Sequence, residues 1–93
     1  MYVIAVYDIS TVEKAGQRRL ARIMKTMRKY FHHTQKSVFE GDITEAGLMA
    51  LRYEVKNMIS NSEDTVVFFR IDNQKNVKRE MLGLQFDPTS AII

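Results

Sequence analysis

The chain has no cysteine. Disulfides, thiolate nucleophiles and cysteine-ligated zinc are therefore excluded. It has no tryptophan, one proline and four glycines in 93 residues. That is too little Pro and Gly for a collagen-like or low-complexity chain. The only histidines, His32 and His33, are adjacent, so a helical His pair spaced by four cannot be built. Long apolar runs are also missing. The run over residues 3–7 is far too short to cross a bilayer or to act as a signal peptide. What remains is 45% hydrophobic and 27% charged, the balance of a single globular domain. Such a chain is expected to be soluble and cytoplasmic. At this length folding buries only about 60% of the unfolded surface, so a partner copy is a plausible source of extra stability.

Acidic residues are absent from residues 14–39, where Lys14, Arg18, Arg19, Arg22, Lys25, Arg28, Lys29 and Lys36 gather. The net charge is only +3, and the rest of the chain is net acidic. This segregation creates a local positive field, suited to an anionic partner or simply to a solvated helix face.

Tyr2-Val3-Ile4-Ala5-Val6-Tyr7 reads as a central strand ending near Asp8, with Ser10 or Thr11 placed to cap a helix. Leu20, Ile23, Met24, Met27 and Phe31 give that helix one apolar face. Lys14, Arg18, Arg22, Lys25 and Lys29 fall within about 80° of one another on another face, at roughly 100° per residue. A hairpin or bent strand pair is expected around residues 31–43. Thr44 caps a second helix bearing Leu48, Leu51, Val55, Met58 and Ile59, and residues 65–71 form another apolar strand. Residues 72–80 are polar and linker-like, and Leu82, Leu84 and Phe86 suggest a last strand before the Asp87-Pro88 turn. The order is βαββαβ plus a strand, an α+β, ferredoxin-like sandwich. Its expected division is a core over 1–72 and, over 73–93, a linker and strand packing on a partner protomer. Two helices cover one sheet face only, so a homodimer through the other face is expected.

Asp8 is the main candidate for chemistry. A magnesium ion often takes only one or two carboxylates, with water and substrate phosphates completing its shell. A two-fold dimer would supply a second Asp8, and the pair with Mg2+ would suit phosphodiester hydrolysis. The alternative is that Asp8 caps the following helix. Tyr7 and Phe39 would stack on bases or belong to the core. Arg19 would face Asp8, a phosphate or solvent, and Lys36 and Ser37 would contact phosphate. Of His32 and His33, at most one can face a site if both lie in a strand. Glu40 and Asp42 would join a metal site or flank a solvated turn at Gly41.

Three motifs stand in order: V-Y-D-I-S from Val6 to Ser10, Q-K-S-V-F-E-G-D from Gln35 to Asp42, and T-V-V-F-F-R-I from Thr65 to Ile71. Together they resemble the small CRISPR-associated nuclease family, the second of the two universal spacer-acquisition proteins. The resemblance implies a ferredoxin-like homodimer whose C-terminal strand packs on the partner. It implies a magnesium-dependent endonuclease acting on single-stranded RNA or double-stranded DNA, with the catalytic, metal-binding aspartate at Asp8. It also implies partnership with the CRISPR integrase, in which basic surfaces (here Arg18, Arg19, Arg22, Lys25, Lys29 and Lys36) hold duplex DNA without necessarily cutting it. Two positions depart from relatives. His33 stands where some carry Arg, and Gln17-Arg18-Arg19 replaces an R-x-R pattern. A non-catalytic DNA-binding scaffold is the competing reading. An RNA-recognition module is disfavoured, because residues 66–71 lack its aromatic and glycine pattern. A small-molecule regulatory domain has no ligand fingerprint to support it.

Overall fold

The computed structural model describes residues 1–84. The elements are β1 (Tyr2–Asp8), α1 (Lys14–Met27), β2 (His32–Gln35), β3 (Val38–Asp42), α2 (Glu45–Met58) and β4 (Thr65–Ile71). A short 3-10 turn, Gln74–Asn76, follows. The four strands form one antiparallel sheet in the order β2-β3-β1-β4. This is the expected ferredoxin-like α+β arrangement, with β1 central.

Both helices pack on one face of the sheet. Ile23, Met24 and Met27 of α1 meet Leu48, Leu51 and Val55 of α2 over Val3, Ala5, Tyr7 and Phe39. The spacing of these residues explains the packing, since each helix turns one apolar stripe inward. α2 opens as its sequence suggests, with Thr44 Oγ1 accepting from the Gly47 amide at 3.0 Å. α1 does not. Its N-cap position is Glu13, with no side-chain cap bond, so neither Ser10 nor Thr11 fills the capping role read from the sequence. The hairpin turn is Lys36-Ser37, and the ladder carries a bulge between His33 and Gln35. Gly41 is therefore a buried strand residue rather than a turn, and a Cβ there would lie 3.4 Å from the Phe31 ring.

The second sheet face carries Tyr2, Ile4, Val6 and Asp8 of β1, by the alternation of a strand. Register sets Glu40 and Phe69 beside Ile4, and Val38 and Val67 beside Val6. Residues 74–79 cross the Tyr2 end of this face, where Arg79 bonds the buried Glu40 carboxylate. No described residue crosses the Asp8 end in the same way. Phe69 is 53% exposed and Val67 39%. Met81, Leu82 and Leu84 are exposed and belong to no strand among the described residues. The last strand was expected over residues 81–86, and its two final residues lie outside the described ones. No helix among the described residues is long and apolar enough to cross a membrane.

Candidate active site

Asp8 is the last residue of β1 and its side chain is exposed. No hydrogen bond or ion pair from the described residues engages its carboxylate. The capping alternative fails, because α1 starts six residues later without a side-chain cap. On one flank Asp8 is paired in register with Thr65. On the other lies the Lys36-Ser37 turn, tied to the strand by the Tyr7 amide donating to the Ser37 carbonyl at 3.1 Å. Lys36 and Ser37 are exposed, so they share this end of the sheet with Asp8.

Tyr7 and Phe39 point the other way. Both are buried in the helix-side core with ring centroids 6.0 Å apart, so neither offers a face to a base. The Tyr7 hydroxyl donates to the Lys36 carbonyl at 2.8 Å and so fixes the turn beside Asp8. Burial pushes its phenol pKa up, which keeps the donor protonated. His33 stacks on Phe39 at 4.3 Å and meets the Lys36 carbonyl at 3.2 Å, while His32 is exposed beside Tyr2 and Glu40. The two histidines therefore face opposite ways, as strand neighbours must.

Glu40 does not flank a solvated turn. It is buried and accepts from Tyr2 Oη at 2.6 Å and Thr34 Oγ1 at 2.8 Å, with Arg79 as its counter-ion. Burial raises its carboxyl pKa, but the bonds from Arg79, Tyr2 and Thr34 outweigh this and hold it below the ordinary range. In turn the Tyr2 phenol, chiefly through burial and then through Glu40, is pushed up to about 12.

The cations divide into two groups. Arg18, Arg22 and Lys25 stand exposed on the outer side of α1, as does Lys14. Lys29 belongs to the same stripe but pairs with Glu54 of α2 at 3.2 Å. Arg19 is drawn inward. Its guanidinium donates to Asp64 through Nε at 2.7 Å and Nη2 at 3.3 Å, and lies 3.5 Å from Glu63. It therefore serves Asp64 rather than Asp8. Asp64 gave no signal in the sequence. Its side chain is fully buried and also accepts from the Ser10 amide at 3.1 Å and the Ser60 amide at 2.8 Å. Burial alone would raise its pKa; the bonds from Arg19, Ser60 and Ser10 keep it lowered. Gly16 was equally silent. A Cβ at this position would fall 1.8 Å from the Ser10 carbonyl oxygen.

No group of three or more Asp, Glu or His among the described residues could hold a metal. Among the described residues the Asp8 carboxylate at the end of β1 is exposed and unengaged. That fits an ion which keeps most of its waters and takes a carboxylate from each of two protomers.

A model of the family described as CRISPR associated protein Cas2 matches residues 1–79. A Fusobacterium nucleatum protein named CRISPR-associated endoribonuclease Cas2 is 44% identical over 89 residues, covering 96% of this chain and 83% of that protein. A Moorella thermoacetica protein named CRISPR-associated endoribonuclease Cas2 2 is 44% identical over 87 residues, with 94% and 96% coverage. Among solved structures, that of Streptococcus pyogenes Cas2 at pH 6.5 superposes with a TM-score of 0.77 at 30% identity, over 89% of this chain and all of the other.

Proposed function

Because the chain belongs to the family of CRISPR associated protein Cas2, we propose that it is a homodimeric, magnesium-dependent endonuclease acting in CRISPR adaptation. Asp8 of each protomer is its catalytic metal ligand. One observation carries this reading. Asp8 is an exposed carboxylate at the end of the central strand, engaged by no side chain among the described residues and capping no helix there. An acidic group in that state is available for a cation.

The dimer forms through the open sheet face, where Phe69 and Val67 would otherwise remain in water. Magnesium, when bound, would supply Lewis acidity for phosphodiester hydrolysis. The chain supplies the rest. The Asp8 carboxylate holds the ion, and the Lys36 ammonium on the adjoining turn attracts a phosphate oxygen. Ser37 offers a hydroxyl at the same rim. Single-stranded RNA is the first substrate to expect, since the Fusobacterium and Moorella relatives are named endoribonucleases; duplex DNA is the second. Partnership with the CRISPR integrase in spacer acquisition belongs to the same proposal and rests on family membership.

A second reading, a non-cutting duplex scaffold, has its own support. Arg18, Arg22 and Lys25 lie on the helix layer, across the sheet from the Asp8 side chain. A duplex held along that stripe could be bound without reaching the carboxylate.

The test is cleavage of labelled single-stranded RNA and duplex DNA in magnesium and in EDTA, with wild type beside Asp8→Ala. The expected result is magnesium-dependent cleavage, lost in Asp8→Ala while binding persists. If wild type and mutant bind duplex equally and neither cuts, the scaffold reading replaces the nuclease.

A further inference from the structure

The five residues between Asp8 and α1, numbers 9–13, have no regular secondary structure. Such a link would normally be loose. Here its first three residues are tied down. Ile9 is buried in the core. The Ser10 amide donates to Asp64 Oδ1 at 3.1 Å. The Ser10 carbonyl sits so close to α1 that Gly16 has no room for a Cβ. The Thr11 carbonyl accepts from Gln17 Nε2 at 3.2 Å.

Asp64 is the centre of this arrangement. Its two oxygens collect the Ser10 amide, the Ser60 amide just past α2, and both prongs of Arg19 from α1. It also directly precedes Thr65, the residue paired with Asp8 across the sheet. One buried carboxylate thus pins both strand ends that carry the proposed ligand. A buried charge is costly unless paired and hydrogen-bonded throughout, and all four of these bonds are made. An apolar side chain could fill the space at less risk, yet it could not fix the Ser10 amide.

We infer that Asp64, held by Arg19, is a positioning residue that fixes the backbone at the end of β1 from which the Asp8 carboxylate reaches its metal ion. The inference rests on the nuclease reading. Groups that orient a metal ligand matter at the level of about 10- to 100-fold in metal affinity or activity. Asp64→Asn keeps the volume but replaces one acceptor oxygen by a donor. Arg19→Lys keeps the charge but loses the two-pronged geometry. Both should raise the magnesium concentration for half-maximal RNA cleavage by about 10-fold or more. Mn2+ binding to the full-length protein, followed by calorimetry, should weaken in parallel. RNA affinity in EDTA should stay at the wild-type value.

Ile23→Val is the control for simple loss of stability. It thins the core under α1 and removes none of the polar groups that hold Asp64. It should lower Tm and leave the magnesium dependence unchanged. If Asp64→Asn does not fold, Arg19→Lys decides. A lower Tm with wild-type magnesium dependence and Mn2+ binding in the folded variants would mean that Asp64 only staples the fold, and the inference is then overturned. Failure of the parent reading looks different. In that case Asp8→Ala itself cleaves and binds Mn2+ like wild type, and the inference falls with it.

Discussion

Asp64 and Glu40 are buried carboxylates solved in the same way at opposite ends of the sheet. Each has an arginine partner and enough further donors to occupy both oxygens. Each is held below its ordinary pKa by those bonds, against the effect of burial. The unfolded chain therefore takes up protons at a higher pH than the folded one. The stabilisation is present above the ordinary carboxylate range, near pH 4, and is lost as pH falls through the lowered folded values. Stability should be nearly flat from pH 7 to about 5 and fall steeply below that. Asp64→Asn and Glu40→Gln should each flatten the acid limb. Urea titrations followed by circular dichroism at fixed protein concentration measure this, and an acid limb unchanged in both variants would refute the assignment. Asp64→Ala should be harsher. It removes the carboxylate that collects Arg19, Ser10 and Ser60 and leaves Arg19 only Glu63, at 3.5 Å, so it should lower Tm more than Asp64→Asn does. Neither carboxylate could be read from the sequence as a buried group. Glu40 stands beside Gly41-Asp42, which resembles a turn, and Asp64 follows Ser62-Glu63, which resembles a polar loop. Their burial is created by Arg79 and Arg19, partners 39 and 45 residues away.

At the scale of elements, periodicity carried most of the information. The apolar stripes of α1 and α2, the strand β4 and the Thr44 cap appear where the residue pattern puts them, except that α1 stops at Met27, so Phe31 joins the core from beyond the helix, and Ile59 is the C-cap of α2. A period fixes which side of an element is buried, because burial is set by direction. It does not say what a long polar side chain will find on arrival. For that reason the basic stripe on α1 was legible as a stripe, whereas Lys29 paired with Glu54 and Arg19 turned to Asp64 were not. The start of α1 was also missed, since Ser10 and Thr11 are good caps by type but are used in a link pinned by tertiary bonds. With Lys29 paired to Glu54, the stripe now comes down to Lys14 and three central cations, Arg18, Arg22 and Lys25, all exposed. If they bind duplex, replacing all three with Gln should reduce the slope of log affinity against log salt by about 0.9 for each phosphate no longer neutralised. Fluorescence anisotropy across a salt series reads this directly. A wild-type slope in the triple variant would remove α1 from the duplex-binding surface. Cleavage of short RNA should be little affected, since the stripe and Asp8 are on different layers.

For the whole molecule, the decisive feature is the difference between the two sheet faces. One is filled by helices. The other carries Ile4, Val6, Val38, Val67 and Phe69 between a covered end at Tyr2 and an end at Asp8 that no described residue crosses in the same way. Apolar residues contiguous on an open face call for a partner, and a two-fold axis gives each protomer the same patch to offer. The proposed chemistry depends on the same association, because the described residues of one chain form no cluster of three metal-ligating side chains around Asp8. Assembly and catalysis should therefore fail together. Phe69→Glu places a charge at the middle of the patch without touching the helix-side core, as Phe69 points away from it. Burying that charge unpaired against the partner should weaken the dimer by several kcal/mol, so the dissociation constant should rise by about 100-fold or more. Sedimentation velocity over a dilution series should show a wild-type dimer and a folded monomeric variant with unchanged helical circular dichroism. Cleavage by the variant should fall with its dimer fraction and recover at high protein concentration. Dimers that withstand Phe69→Glu would place the interface elsewhere. A monomer that cleaves as well as wild type would show that one Asp8 suffices, and the shared-metal arrangement would have to be abandoned.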